Sequence, residues 1–229
     1  MKPIFKLLLP ITMSILLSAC ANNHNQAKPR DYSKFRQSNP RSILVVQPTN
    51  SSVDVKGPYA VLAQTTQPLA ESGFYVFPVV LVNETFKENG LNDGAEIQAA
   101  ALNKLQKVYN ADAILYLNVD KYGTKFQVIN SVTTVSVSGK LIDARDGTTL
   151  WTGQKDITID SNSNNNGGFF SQVFNAVVNQ ISDKLTDKAY KVAGVVDDNL
   201  LAAKNSDALL YGPYSPQYQA LDQNKNEQE

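Results

Sequence analysis

The run Ile43-Leu44-Val45-Val46, stopped two residues later at Pro48, limits what this chain can fold into more than any other segment. Four consecutive large apolar residues, three of them β-branched, leave no polar face to turn to water. They fit a strand buried on both sides, and so a central strand of a sheet.

The segments that follow extend this into a pattern. Gly57-Pro58 punctuates the chain, and Tyr59 to Glu71 reads as a helix carrying Leu62 and Leu69 inward, with Pro68 kinking or restarting it and Gly73 placed to end it. Phe74-Tyr75-Val76-Phe77-Pro78-Val79-Val80 reads as a second strand, whose proline implies an edge, a bulge or the strand's end. Asn83 to Asn92 is a short helix or loop closing at Asn89-Gly90. Asp93 then caps a helix with Glu96 at N3, and Ile97, Ala101, Leu105 and Val108 fall at helical spacing on one face. Ala113 to Asp120 is another strongly apolar strand, which completes a β-α-β-α-β opening.

After Gly123 the period changes to two. Val135, Val137, Gly139 and Leu141 alternate with Thr134, Ser136, Ser138 and Lys140; Asp143-Ala144-Arg145-Asp146-Gly147 turns the chain; and Leu150-Trp151 returns through Ile157 and Ile159 as an antiparallel hairpin. The low-complexity stretch Ser161 to Gly168 is expected to be an exposed loop. Phe170, Phe174, Val177, Ile181 and Leu185 then mark a long amphipathic helix, with Lys184, Lys188 and Lys191 near its C-terminus, packed across the sheet. The expected architecture is a single α/β (α+β) domain, residues 41–218. Its mixed sheet, built from the β-α-β-α-β opening and the hairpin, is covered by that C-terminal helix.

The ends of the chain are of a different kind. A positive start with Lys2 and Lys6, a short apolar run and Leu17-Ser18-Ala19-Cys20 make residues 1–19 an export signal too short to span a bilayer. Leu-small-small-Cys resembles the lipobox of lipoproteins, which makes Cys20 the acylated mature N-terminus, with S-diacylglycerol on its sulfur and an acyl chain on its amine. Three chains would hold the protein almost permanently, at about 0.8 kcal/mol per buried methylene. Ala19-Cys20-Ala21 also satisfies the small-x-small rule of ordinary signal peptidase, which would release a periplasmic protein beginning at Asn22. Ala21 leaves the position after the cysteine without the aspartate that retains lipoproteins at the inner membrane, so the outer membrane is the expected address. Residues 20–40 read as acylated cysteine plus flexible tether, with Tyr32 and Phe35 as its only large apolar residues, and residues 219–229 as a disordered tail.

Chemistry is hard to assemble from what remains. Without the signal the chain carries 19 basic against 21 acidic residues, a formal charge near −2 with no nucleic-acid footprint. The only histidine, His24, lies in the tether, so a His-based triad, zinc site or general base is not expected in the domain. Phosphate-loop and nucleophile-elbow signatures are missing as well. Among carboxylates, Asp143 and Asp146 fit ordinary turn chemistry before Gly147, Asp197-Asp198 fit the cap of a last helix over 199–204, and Asp112 fits a buried carboxylate with an unnamed partner. No metal and no cofactor beyond the lipid on Cys20 is expected. The least ordinary stretch is Leu209 to Tyr218, where three tyrosines interleave with two prolines. It is expected to strap back over its own domain, the alternative being a segment that docks on a partner.

Ile43-Leu44-Val45-Val46-x-Pro48 with Asn50, Pro68-Leu69-Ala70-Glu71-x-Gly73-Phe74-Tyr75-Val76-Phe77-Pro78-Val79, Asn89-Gly90, Ala111-Asp112-Ala113, Asp143-x-x-x-Gly147-x-x-Leu150-Trp151 and Tyr211-Gly212-Pro213-Tyr214 together resemble a family of uncharacterised Gram-negative lipoproteins that includes a neisserial outer-membrane lipoprotein. Ser215 departs from it where a histidine is expected. The resemblance implies a fold similar to the N-terminal domain of the Tol-system propeller protein, the curli secretion lipoprotein core and lipoprotein activators of peptidoglycan synthases. It also implies a curli-pore-like lipoprotein as partner.

The expected function is therefore a non-enzymatic, outer-membrane-anchored accessory module that binds envelope proteins in a secretion or assembly complex, facing the periplasm or the cell surface, with homo-oligomerisation open. Activation of a peptidoglycan synthase is the second expectation, and a carboxylate-dependent enzyme using Asp112, Asp143 or Asp146 is the third. Partner contacts are expected at Phe74, Tyr75, Phe77 and Pro78 and at Tyr211, Gly212, Pro213 and Tyr214, where stiff aromatics sit beside proline.

Overall fold

The computed structural model describes residues 30–126, 131–160 and 188–218. The apolar run forms β1 (Ser42–Val45), and its alternation divides the protein into layers: Ile43 and Val45 enter one core, Leu44 and Val46 the other, and none is more than 1% exposed. The strand is central, as expected. It runs parallel to β3 (Tyr75–Val76) on one side and to β4 (Ala113–Phe126) on the other. β5 (Ser131–Asp143) and β6 (Thr149–Asp160) continue the sheet antiparallel, giving the order β3-β1-β4-β5-β6, while the short β2 (Thr49–Asn50) pairs in parallel with β4 beyond the end of β1.

Helices cover both faces. α2 (Gly57–Leu62), α3 (Thr66–Glu71) and α7 (Lys188–Leu201) pack with Ile43, Leu115, Val137 and Trp151. α4 (Val79–Glu88), α5 (Gly94–Gln98) and α6 (Leu102–Tyr109) pack on the opposite face with Leu44, Val46 and Ile114. Each fully buried Leu or Ile at these positions contributes about 1.5–3 kcal/mol. The α/β class, the mixed sheet and the helix across the hairpin all match expectation.

Several boundaries moved. The helix over 59–71 is two helices: α2 ends at Leu62 and α3 restarts at Thr66, with Pro68 in its first turn, where a missing N–H is tolerated. The second strand is two residues long, not seven, because Pro78 ends it and serves as N-cap of α4, putting Val79 and Val80 in a helix. The helix beginning at Asp93 breaks at residues 99–101. Its cap is as expected, with the Glu96 N–H donating to Asp93 Oδ1 at 2.9 Å, but the break rotates α6 and leaves Val108 66% exposed. In the hairpin, Val135, Val137 and Leu141 are buried, and so is Ser136 of the polar face, which lies beside the bulge between Val119 and Lys121.

Two corrections bear on the ends of the domain. Part of the expected tether folds: α1 (Ser33–Ser38) buries Phe35, whose ring meets Phe74 edge-on, so the compact unit starts at Tyr32 instead of residue 41. The described C-terminal helix spans Lys188–Leu201, so Lys188 and Lys191 do not lie at its C-terminal end, and Asp197 and Asp198 lie within it instead of capping a helix over 199–204. Cys20, His24, the loop over 161–168, the helical pattern Phe170 to Leu185 and the tail over 219–229 lie outside the described residues.

Candidate partner-binding surface

The carboxylates proposed for chemistry hold the lower end of the sheet together. Asp112 Oδ2 accepts from the N–H groups of Arg41 and Ser42 and from Ser42 Oγ, at 2.9, 3.0 and 3.1 Å, which names the partner the sequence left open. Asp143 is buried and accepts from Arg145 Nε at 2.8 Å and from Ser38 Oγ at 2.7 Å, with Arg145 Nη2 donating to Oδ2 as well. These charge-assisted bonds, the Arg145 side chain first, lower the Asp143 carboxyl to about 2. Asp146 Oδ1 accepts from the Thr148 N–H at 2.8 Å and Gly147 takes φ +78°, as a turn requires. No group of three or more His, Cys, Asp and Glu is placed to hold a metal ion among the described residues.

Asp197 is different. It faces inward from α7, is 0% exposed, and neither carboxylate oxygen meets a hydrogen-bond donor. Burial raises its pKa well above the ordinary carboxylate value, so the neutral form is favoured.

The two aromatic and proline segments meet each other. The Gly212 N–H donates to Ser72 O at 2.8 Å and the Tyr214 N–H to Gly73 O at 3.1 Å, while Leu209 and Ser215 are buried. Tyr218 Oη donates to Asn39 Oδ1 at 3.1 Å. The strap onto the chain's own domain is therefore the arrangement found. A Cβ at Gly212 would fall 2.6 Å from Phe74 Cδ1, so this position admits only glycine at the observed spacing. Two expected contact residues, Phe74 and Gly212, are thereby removed from the surface: Phe74 is 4% exposed because it fills the gap between β3 and the strap. Phe77, Tyr211 and Pro213 are half-buried, and Tyr75, Pro78 and Tyr214 are exposed.

Three of the large exposed apolar side chains among the described residues fall in residues 75–81. Tyr75, on the two-residue edge strand, is 52% exposed; Val80 and Leu81, in the first turn of α4, are 69% and 65% exposed. The Tyr75 ring stands edge-on to Phe77 at 5.2 Å, and Phe77 in turn meets Tyr109 at 6.0 Å, so the outermost ring is braced from the second core. Val80 falls within the strand expected over 74–80, and Leu81 lies between that strand and the segment expected from Asn83. The available signal was Pro78 in front of Asn83-Glu84, a helix start in place of a strand.

A profile of the family described as "putative lipoprotein GNA1162-like" matches residues 30–214. A lipoprotein of Neisseria meningitidis serogroup B is 45% identical over 213 residues, 93% of this chain and 96% of that one. The chain belongs to the GNA1162-like lipoproteins. This GNA1162-like protein is also similar to the crystal structure of lipoprotein GNA1162 from Neisseria meningitidis, at 48% identity and a TM-score of 0.53 over 62% of this chain and 97% of the other. The PelC dodecamer from Paraburkholderia phytofirmans is a more distant likeness, at 16% identity and a TM-score of 0.46, covering 75% of this chain and 90% of the PelC chain. The resemblance to a lipoprotein family with a neisserial member thus holds, and membership in a family of lipoproteins makes lipid-anchored association with a membrane the coarse location.

Proposed function

We propose that this GNA1162-like lipoprotein is a non-enzymatic accessory module of the cell envelope, held at the outer membrane by acylated Cys20, that binds an envelope protein through residues 75–81. The observation that carries the reading is the exposure of Tyr75, Val80 and Leu81 on a braced rim at the end of the sheet. Large apolar side chains left in water beside a stiff proline have little entropy to lose on docking. Asp112, Asp143 and Asp146, the acids available for catalysis, are engaged by backbone and side-chain donors that tie strands and turns. A curli-pore-like lipoprotein is the partner that the family resemblance implies.

Reach favours this over activation of a peptidoglycan synthase. With the compact unit starting at Tyr32, only residues 20–31 separate it from the lipid, about 40 Å when fully extended and much less on average. Photo-crosslinkers at Tyr75, Val80 and Leu81 in living cells are expected to give one dominant protein adduct that a crosslinker at exposed Ala95 does not. Equal labelling from all four positions would refute the assignment.

A further inference from the structure

The loop between β2 and α2 is fixed by its own polar groups. The Ser51 N–H donates to Val119 O at 2.8 Å, which ties the loop to β4. Asn50 Oδ1 accepts from the Ser52 N–H at 3.0 Å and from Ser52 Oγ at 2.7 Å, while Asn50 Nδ2 donates to Asp54 O at 3.1 Å. Asp54 Oδ1 accepts from the Lys56 N–H at 2.9 Å, and the Gly57 N–H donates to Asp54 O at 3.2 Å. Where the loop closes onto the sheet, a Cβ on Gly57 would stand 3.1 Å from both Tyr122 Cβ and Val119 Cγ1.

Held in this way, the loop presents Val53 and Val55 to water. They are 99% and 76% exposed, and Val53 is the most exposed large apolar side chain among the described residues. Ser52 and Asp54, which alternate with them, are half-buried and turned back into the bonds above. Lys56 and Tyr59 stand exposed at the loop's shoulder. A surface loop ordinarily turns its polar groups outward. This one spends them inward and leaves two aliphatic side chains at its tip, already ordered.

We propose that this loop is a second contact with the membrane that holds the protein, its Val53 and Val55 side chains entering the headgroup boundary of the lipid. An apolar tip with tyrosine and lysine at its shoulder repeats the layering of a bilayer surface, where Tyr rings and Lys stems bridge the hydrocarbon edge and water. Aliphatic prongs on a convex loop need no matching pocket there. The rim at 75–81 carries an aromatic anchor, whereas the loop tip carries only valines, a residue type that contributes little at protein interfaces. The loop's own charges, Asp54 and Lys56, cancel, so it selects no headgroup charge. Its backbone stays at headgroup level, where water still reaches the amides. Reach permits the contact. Val119, beside the loop, is six residues along β4 from Ala113, at the end of the sheet where the Arg41 N–H meets Asp112, and so about 20 Å away by strand rise. Residues 20–31 span up to about 40 Å. An anchor in the same surface keeps the loop at high effective concentration beside it, so two side chains suffice. The domain is thereby laid against the membrane on a defined side instead of swinging at the end of its tether.

The proposal rests on the chain being anchored at a membrane and uses none of residues 75–81. The test takes the full acylated chain in zwitterionic phospholipid vesicles. Acylation blocks Cys20, the only cysteine, so Val53→Cys, Val55→Cys, Tyr59→Cys and Ala95→Cys each carry a single environment-sensitive dye. Dyes at 53 and 55 are expected to shift to the blue and to be quenched by lipids carrying a quencher just below the headgroup. The dye at 59 should respond less, and the dye at exposed Ala95 should report water. Val53→Asp with Val55→Asp replaces two exposed side chains, so melting should hold while the contacting fraction seen from position 59 falls about tenfold or more. Water-like emission at 53 and 55, an equal shift at 95, an unchanged signal in the double aspartate variant, or a signal that needs anionic lipid overturns the proposal. So does a shift that disappears as the chain is diluted in lipid, which reports contact between proteins. A mature chain without acyl mass would refute the anchor alone: with Cys20→Ala added, the same dyes on the same vesicles still decide the loop.

Discussion

Replacing Gly73 by alanine should release the strap at its point of contact with the domain. Gly73 has φ +91°, a conformation that costs a side-chain-bearing residue about 1–2 kcal/mol. The added Cβ would also lie 2.3 Å from Ser215 N and 2.5 Å from Ser215 Cβ, so the strap has to move. Its displacement breaks the Gly212 N–H to Ser72 O and Tyr214 N–H to Gly73 O bonds, each worth about 0.5–1.5 kcal/mol net. The combined cost is about 2–5 kcal/mol, felt mainly by the strap, since Leu209 remains anchored in the first core. Gly90 supplies the control: it has φ +81° but nothing within 4 Å of its Cβ position, so Gly90→Ala should carry the conformational cost alone. The assay is hydrogen exchange at the Gly212 and Tyr214 amides, with limited proteolysis between Tyr211 and Tyr218. If Gly73→Ala and Gly90→Ala destabilise equally and both amides stay protected in each, the strap is not held where the geometry places it.

Three further outcomes follow from the buried and modified groups. Asp197 has a raised pKa in the folded protein, so the folded state keeps a proton that the unfolded chain releases above about 3.8, and stability should fall as pH rises from there toward the folded value. Asp197→Asn should remove that slope, since the amide does not titrate; an equal loss of stability in both proteins between pH 4 and 7 would contradict it. Asp143 has the opposite sign: its contribution is present above about 3.8 and lost as pH falls toward about 2, and Asp143→Ala, which strands Arg145 and Ser38, should cost about 1–3 kcal/mol at neutral pH and flatten the acid limb of a denaturation series. Cys20→Ala should abolish acyl mass at the N-terminus and membrane fractionation, whereas an unchanged mature mass would point to cleavage after Ala21.

The candidate surface was only half legible. Tyr75 and Pro78, an aromatic and a proline conspicuous in the sequence, are exposed. Phe74 sits in the same string and looks identical by that criterion, yet it is core, because the strap crosses it more than 130 residues later in the chain. Val80 shows the reverse effect: it extends a strand pattern on paper but lies in the first turn of a helix once Pro78 has turned the chain. Adjacent aspartates before an asparagine resemble a helix start, whereas the burial of Asp197 depends on the packing of α7 against the sheet.

Ile43 to Val46 and Ala113 to Val119 by themselves determined a central pair of strands with helices on both faces, because a run with no polar side has no other low-energy place to go. The sequence also determined the turn at Gly147 and the cap at Asp93, where the bonding groups are neighbours in the chain. Tertiary structure alone decided that β3 is the outermost strand beside β1 among the described residues, that Asp112 and Asp143 are tied while Asp197 is left bare, and that residues 209–218 close over Gly73. Those outcomes depend on groups far apart in sequence, and the free energy of bringing them together is not encoded in any local pattern.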